Sequence, residues 1–343
     1  MHNVNIGIIG CGAIVQSVHL NVLSRISSAR IVAIAEPSDS RRSQTSEKLP
    51  GVSACADWRE ILNDKQIDAV IIAAPSGMHA EIAIASFAAG KHVYLEKPLA
   101  ITVEQGRGVV EAWRTSNRVG MIGFNYRFSP LYSEIQRLVS NGRIGKPISA
   151  RTVFSTCADA LPPWKTSRAS GGGVLLDLAS HHIDLMRFMF GEVVAVSSNI
   201  TSIVSEADTA TLLLRMKNEV LVESLFSLAS IEEDRVEVYG REGKVWADRY
   251  RSPTVRFDTT RRGMDLLRQL ADGLTNLPAL ARKIIRRGYE SSYAQALSRF
   301  IAAAGARAAS VAPDLNDGLQ SLIVVEAAER ASVEHREIEI QNT

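Results

Sequence analysis

The sequence predicts an α/β chain, with an N-terminal doubly wound parallel sheet followed by an α+β domain built on a large, mostly antiparallel sheet. Three observations carry that prediction. Apolar runs alternate with helical patterns over the first 124 residues, the first run stops at a Gly10-Cys11-Gly12 turn, and beyond residue 125 strand signals follow one another through short turns. Strand–helix alternation implies βαβ units around a parallel sheet, and consecutive strands with tight turns imply antiparallel pairing. At 343 residues the chain exceeds what one small core organises, so two domains are expected, 1–124 and 125–343.

In the first domain, Val4–Ile9, Arg30–Ala35, Asp68–Ala73, His92–Leu95 and Val119–Gly123 are apolar runs without strict alternation. They read as parallel strands buried on both faces. Between them the pattern turns helical after Gly12 (Leu20, Leu23, Ile26) and near Arg41–Leu49, Glu81–Ala89 and Val103–Arg114. In the second domain, Ser129-Pro130 sets an N-cap and a proline at the first helical position, opening a helix through Leu138. Ile148–Ser155 alternates as a strand, and Gly171-Gly172-Gly173 leads into a helix toward Phe190. Val193–Ile200, Thr209–Met216, Val220–Ser227, Arg235–Tyr239 and Lys244–Ala247 read as strands in hairpin succession. Helices near Tyr293–Ala304 and Leu315–Ser332 and a short strand at Glu337–Ile340 close the chain. Residues 264–287 read as a helix ending in a basic cluster (Arg282, Lys283, Arg286, Arg287). Either a solvated or oligomer-contact face, or a docking element for an anionic surface, fits that pattern.

The composition is ordinary for a globular protein, with 46% hydrophobic and 22% charged residues. A formal net charge of +2 provides no broad basic field, so nucleic acid is not an expected partner. Cys11, Cys55 and Cys157 lack metal-ligand or disulfide spacing, and no metal site is expected. No apolar run is long enough to cross a bilayer, and the chain opens directly on a strand. A cytoplasmic protein is the expectation.

Gly10 and Gly12, followed by Ala13 and Ile14, stand where a strand meets a helix. Gly10 permits the tight turn and Gly12 lets the backbone approach a pyrophosphate favoured by the helix N-terminus. Val15 occupies the third glycine-or-alanine position, where a branched side chain would push the helix off the sheet. Glu36 ends the second run, where an acid binds adenosine ribose hydroxyls, and this favours NAD over NADP. Ser38, Arg41 and Arg42 follow closely and are the groups that would hold a 2′-phosphate instead. Ala74 and Pro75 end another strand at the same edge. His79 is either a cofactor contact or an exposed residue of the next helix's first turn.

Glu96-Lys97-Pro98 follows the strand His92–Leu95, placing an amine at the carboxyl edge of the sheet, where open α/β folds bind cofactors. A cis Lys97–Pro98 bond is expected to set the lysine's direction. Asp177 and His181 are four apart, on one face of a helix, where a carboxylate can orient an imidazole. A capping acid and a structural histidine would give the same pattern. Asn125 and Arg127 follow the last strand of the first domain, and Trp164, Lys165 and Arg168 lie in the loop before the glycines.

Strand–GxG–helix, AAPSGMHAEIA, HVYLEKPLA, GFNYR and GGGVLLDLASHHIDL, in that order, resemble the glucose-fructose oxidoreductase / inositol dehydrogenase / rhizopine-catabolism (Gfo/Idh/MocA) family over nearly the whole chain. Val15, Glu36 in place of the commoner aspartate, and the 255–290 segment depart from it. The resemblance implies an N-terminal Rossmann domain that binds NAD(P) and an enzyme acting on CH–OH groups of a sugar or polyol. It implies Lys97, Asp177 and His181 as catalytic residues, with Lys97 or His181 as the base. Gly10, Gly12, Ala13, Ile14, Glu36, Ser38, Arg41, Ala74, Pro75, His79, Glu96, Lys97 and Asn125 would line the cofactor, and Arg127, Trp164 and Lys165 the substrate. It implies a homodimer or homotetramer paired through the open sheet. Two other functions use such a scaffold, a glycosidase cleaving by transient oxidation and elimination and a non-catalytic NAD-binding regulator.

Overall fold

The computed structural model describes residues 3–157, 161–259, 291–308 and 310–341. The basic stretch 264–287 lies outside them. Contacts divide the chain into two units. The first gathers the residues up to Asn125 with Pro163–Gly172 and Ser292–Ile323. The second gathers Tyr126–Pro162, Gly173–Ser291 and the residues from Val324.

The first unit is a six-stranded sheet of β1 (Val4–Ile9), β2 (Ala29–Ala35), β3 (Ser53–Cys55), β4 (Ala69–Ile72), β5 (His92–Leu95) and β6 (Gly120–Ile122), ordered β3-β2-β1-β4-β5-β6. All its pairs are parallel, which is the doubly wound dinucleotide-binding order. Every residue of β4 and β5 is buried, as expected of strands covered on both faces. Each large apolar side chain so placed contributes about 1.5–3 kcal/mol. The connecting helices include α1 (Leu20–Leu23), α2 (Asp39–Glu47), α3 (Trp58–Asn63), α4 (His79–Ala88) and α5 (Val103–Ser116). Thr102 caps α5 by accepting from the Gln105 amide at 3.3 Å, and Asn117 ends it in the left-handed region. The pattern reading lacks β3 and α3. β3 is three edge residues, none of them buried, so it carries no apolar signature.

Later segments complete this unit. A Cβ on Gly106 of α5 would lie 3.2 Å from Leu319 and Leu322, and the Ile122 amide donates to the Pro313 carbonyl at 3.2 Å. The 163–172 segment packs on the same unit. Arg168 donates to the Ile101 carbonyl at 3.0 Å, and a Cβ on Gly171 would lie 2.8 Å from Ile101 and Ser76.

The second unit is an eight-stranded sheet of β7 (Pro147–Cys157), β8 (Val193–Thr201), β9 (Thr209–Met216), β10 (Leu221–Ser227), β11 (Ala229–Gly240), β12 (Gly243–Asp248), β13 (Arg256–Thr259) and β14 (Ile338–Glu339). Its order is β13-β12-β11-β7-β10-β9-β8-β14. The expected hairpin succession holds for β8–β9–β10 and β11–β12 but fails between β10 and β11. β7 inserts there, parallel to β10 and antiparallel to β11. Helix α6 (Pro130–Ser140) starts at Ser129-Pro130 as predicted, although Ser129 makes no side-chain cap. Helix α7 (Ser180–Phe190) and the residues from Val324 cover the inner face, where the Ser198 hydroxyl donates to the Ala328 carbonyl. The outer face leaves Leu213, Leu221 and Leu225 exposed.

Candidate active site

At the carboxyl end of β1 the chain reverses at Gly10 with φ +89°, and a Cβ there would sit 2.6 Å from the Ala73 carbonyl oxygen. A Cβ on Gly12 would meet nothing within 4 Å, which leaves the open cradle a pyrophosphate needs. Ala13 is exposed and Ile14 half-buried beside it. Val15 is fully buried. The helix winds as a π-helix over Val15–His19 before becoming α-helical at Leu20, the kind of local widening found at functional sites.

Glu36 is buried at the end of β2. Its Oε2 accepts from the Cys11 amide at 2.9 Å, and its Oε1 accepts from the Ser38 amide at 3.0 Å and from Arg41 Nη2 at 2.9 Å. Burial pushes this carboxyl up, but the two amides and Arg41 outweigh it and hold the pKa below the usual range. The same burial pushes the Cys11 thiol up to about 11. Arg41 is thus bound to the acid that favours NAD, and Arg42 donates to the Glu36 carbonyl oxygen at 2.7 Å and pairs with Asp39. Left-handed glycine, open cradle and buried ribose-side acid together fit an NAD molecule.

Lys97 is half-buried at the carboxyl end of β5 and its bond to Pro98 is cis, as expected. Glu96 is buried, with Oε1 2.9 Å from Nε2 of the fully buried His19. Asn125 is fully buried; its Nδ2 donates to Ser292 Oγ at 2.9 Å, while its Oδ1 has no hydrogen-bond partner. His79 is not an exposed first-turn residue but is 1% exposed. Nδ1 lies 2.6 Å from the Pro98 carbonyl oxygen and Nε2 2.9 Å from that of Ala74, so no polar ring atom remains for a cofactor. Pro75 is exposed and Ala74 half-buried at the same edge. Trp164 and Lys165 are half-buried in a short 3₁₀ turn, with Lys165 Nζ 5.4 Å from the Trp164 ring centroid.

In the second unit, Asp177 is half-buried and His181 buried. Their segment starts at Gly173 (φ +88°) and winds as a π-helix over Leu175–Ala179 before α7 begins. The regular α-helix expected across the pair is therefore wider at Asp177. The His181 ring stacks on Tyr126 with centroids 4.4 Å apart and planes at 17°. Arg127 forms a buried ion pair. Its Nε and Nη2 donate to fully buried Asp184 at 2.8 and 2.6 Å, a fork that commits the guanidinium to the fold.

Two groups behind these side chains escape the pattern reading. His19 is one. The other is Asp234, fully buried, which accepts from the hydroxyls of Tyr126 and Tyr132, from His182 Nε2 at 3.0 Å and from Arg249 Nε. Burial opposes its ionisation, but Arg249, His182 and Tyr126 hold its pKa far below the carboxylate range. Its signal in sequence is positional. Asp234, Val236 and Val238 share the buried side of β11, so a charge occupies a core register. Among the described residues, no group of His, Cys, Asp or Glu is arranged to hold a metal ion.

Residues 4–124 match a family described as "Oxidoreductase family, NAD-binding Rossmann fold", and residues 132–246 match the Gfo/Idh/MocA C-terminal domain. A myo-inositol 2-dehydrogenase of Thermotoga maritima is 32% identical over 73% of this chain and 77% of its own. The chain belongs to the Gfo/Idh/MocA family. An inositol 2-dehydrogenase of Rhizobium meliloti is 29% identical over 98% of this chain and 99% of its own. A levoglucosan dehydrogenase solved with NADH superposes with a TM-score of 0.85 over 100% of both chains at 23% identity, a likeness of fold. This Gfo/Idh/MocA protein is an oxidoreductase with an NAD-binding Rossmann domain. Among the described residues, no helix is long and apolar enough to cross a membrane.

Proposed function

We propose that this protein is an NAD-dependent dehydrogenase that oxidises a secondary hydroxyl of an inositol-like polyol or a sugar derivative. The observation that carries the reading is Lys97, an amine at the carboxyl edge of β5 in a sheet of dinucleotide-binding order whose first turn and Glu36 fit NAD. The inositol and levoglucosan dehydrogenases among its relatives support the substrate class. NAD, when bound, supplies the hydride acceptor. His181 takes the hydroxyl proton at a ring nitrogen, Asp177 orients that ring, and Lys97 Nζ polarises the substrate oxygen or shares the proton. Trp164 and Lys165 act as substrate-side residues, and Asn125, with a buried Oδ1 still open to a donor, as a cofactor-side one.

Initial rates with inositols, anhydrosugars, monosaccharides and amino sugars, read as NADH formation, test the proposal. Lys97→Ala and His181→Ala are expected to abolish turnover without loss of NADH binding. Robust turnover of a non-carbohydrate alcohol alone overturns the substrate class. Glycoside cleavage without net NADH would instead establish the redox-elimination reading.

The exposed Leu213, Leu221 and Leu225 on the outer sheet face support a homo-oligomer paired through that face. Light scattering of Leu225→Arg, expected to dissociate it, tests this. Cys11 and Cys55, neither in a disulfide, support a cytoplasmic location, and fractionation tests it.

A further inference from the structure

The backbone on either side of Lys97 is held, by the sheet before it and by a buried imidazole after it. On one side, the Glu96 amide donates to the Ile72 carbonyl at 2.9 Å and its carboxylate faces His19. On the other, the Pro98 carbonyl meets His79 Nδ1 at 2.6 Å, while His79 Nε2 reaches the Ala74 carbonyl at 2.9 Å. Leu99 and Ala100 are then buried at 1% and 0% exposure, so the chain beyond Pro98 is fixed in the core. Lys97 itself is only half-buried. Its side chain therefore leaves a backbone anchored at both ends.

We propose that His79 is a positioning residue for Lys97, tying the carbonyl that follows the lysine to the carboxyl end of β4. This rests on the reading that Lys97 acts on the substrate. Carbonyl oxygens only accept and a neutral imidazole carries one N–H, so the shorter contact assigns the donor to Nδ1 and the hydrogen bond to Pro98. An asparagine amide nitrogen occupies the place of Nδ1 and keeps the Pro98 bond. A glutamine amide nitrogen reaches the place of Nε2 and offers its donor to the Ala74 carbonyl instead. If His79 serves Lys97, the Pro98 bond matters for turnover, and a displacement of about 1 Å in a reacting group lowers rates on the order of 10- to 100-fold.

The test is kcat at saturating NAD and substrate for His79→Asn and His79→Gln, with NADH affinity from protein fluorescence and the melting temperature of each. The expected result is a kcat for His79→Gln lowered on the order of 10- to 100-fold. His79→Asn is expected to recover at least about tenfold of that loss, with NADH affinity unchanged between the two. Both variants offer one amide donor to one of the two carbonyls, so a merely structural role predicts equal kcat values, and that equality overturns the proposal. A loss confined to KM for NAD also overturns it. Lys97→Ala separates the two layers of argument. If that variant keeps full activity, the reading of Lys97 fails. If it is inactive while His79→Gln turns over normally, only the role of His79 fails.

Discussion

Replacing Asp234 by asparagine removes the charge on which four donors converge. Tyr126 and Tyr132 hydroxyls, His182 Nε2 and Arg249 Nε all reach this carboxylate, whose side chain is 0% exposed. Hydrogen bonds to a charged acceptor contribute about 1.5–3 kcal/mol each, and breaking a buried ion pair by removing one partner costs about 3–5 kcal/mol. Asparagine keeps one acceptor but turns an amide donor toward Arg249 or His182, so a loss of about 3 kcal/mol is expected. For a unit of this size that is a fall in melting temperature of roughly 6–12 °C. Thermal unfolding followed by tyrosine and tryptophan fluorescence measures it. Because the native carboxyl is held below its unfolded value, its contribution is complete above about pH 4 and drains away only as acid reaches the native pKa. Wild type and variant should therefore stay separated through mildly acid pH and converge only below it. A difference under about 1 kcal/mol at pH 7 would refute the reasoning, placing Asp234 with solvent-screened surface pairs.

Two further outcomes follow from named contacts. Glu36→Gln releases Arg41, whose Nη2 lies 2.9 Å from the acid, and should shift the NAD-to-NADP ratio of kcat/KM toward NADP by about tenfold, or about 1.4 kcal/mol; an unchanged ratio in steady-state kinetics defeats it. His92 is 5% exposed, its Nδ1 accepts from the Val119 amide at 2.9 Å, and burial pulls its pKa down to about 4. The unfolded chain then binds a proton that the native one refuses, so stability is full above about pH 6.5 and falls on the order of 3 kcal/mol as pH drops to 4; melts across pH should show a shallower slope in His92→Gln.

The parallel sheet was legible because β4 is apolar throughout and β1 and β5 nearly so, as strands covered on both faces are. Ser53–Cys55 was not legible, since an edge strand of three residues has no face to bury. The order of the second sheet was hidden for another reason. The parallel pairing of Leu221–Ser227 with 149–155 joins segments some 70 positions apart, and no local turn encodes it. Alternation along Ala229–Gly240 shows that a strand exists, not which neighbour it takes. Among the candidate residues, Lys97 and His181 stood out through their motifs, whereas the pairing of Arg127 with Asp184, 57 positions away, did not.

The buried polar groups behind the candidate residues share one property. His19, His79 and Asp234 are polar residues at positions whose neighbours on the same face are apolar, such as Val15 beside His19 and Val236 beside Asp234. A buried polar group costs stability unless its hydrogen bonds are met, a condition that Asp234 satisfies through four donors. His19 backs Glu96, His79 backs the turn after Lys97, and Asp234 holds Tyr126, on which His181 stacks. A polar residue in an otherwise apolar register is accordingly the feature of this sequence that marks where such support lies.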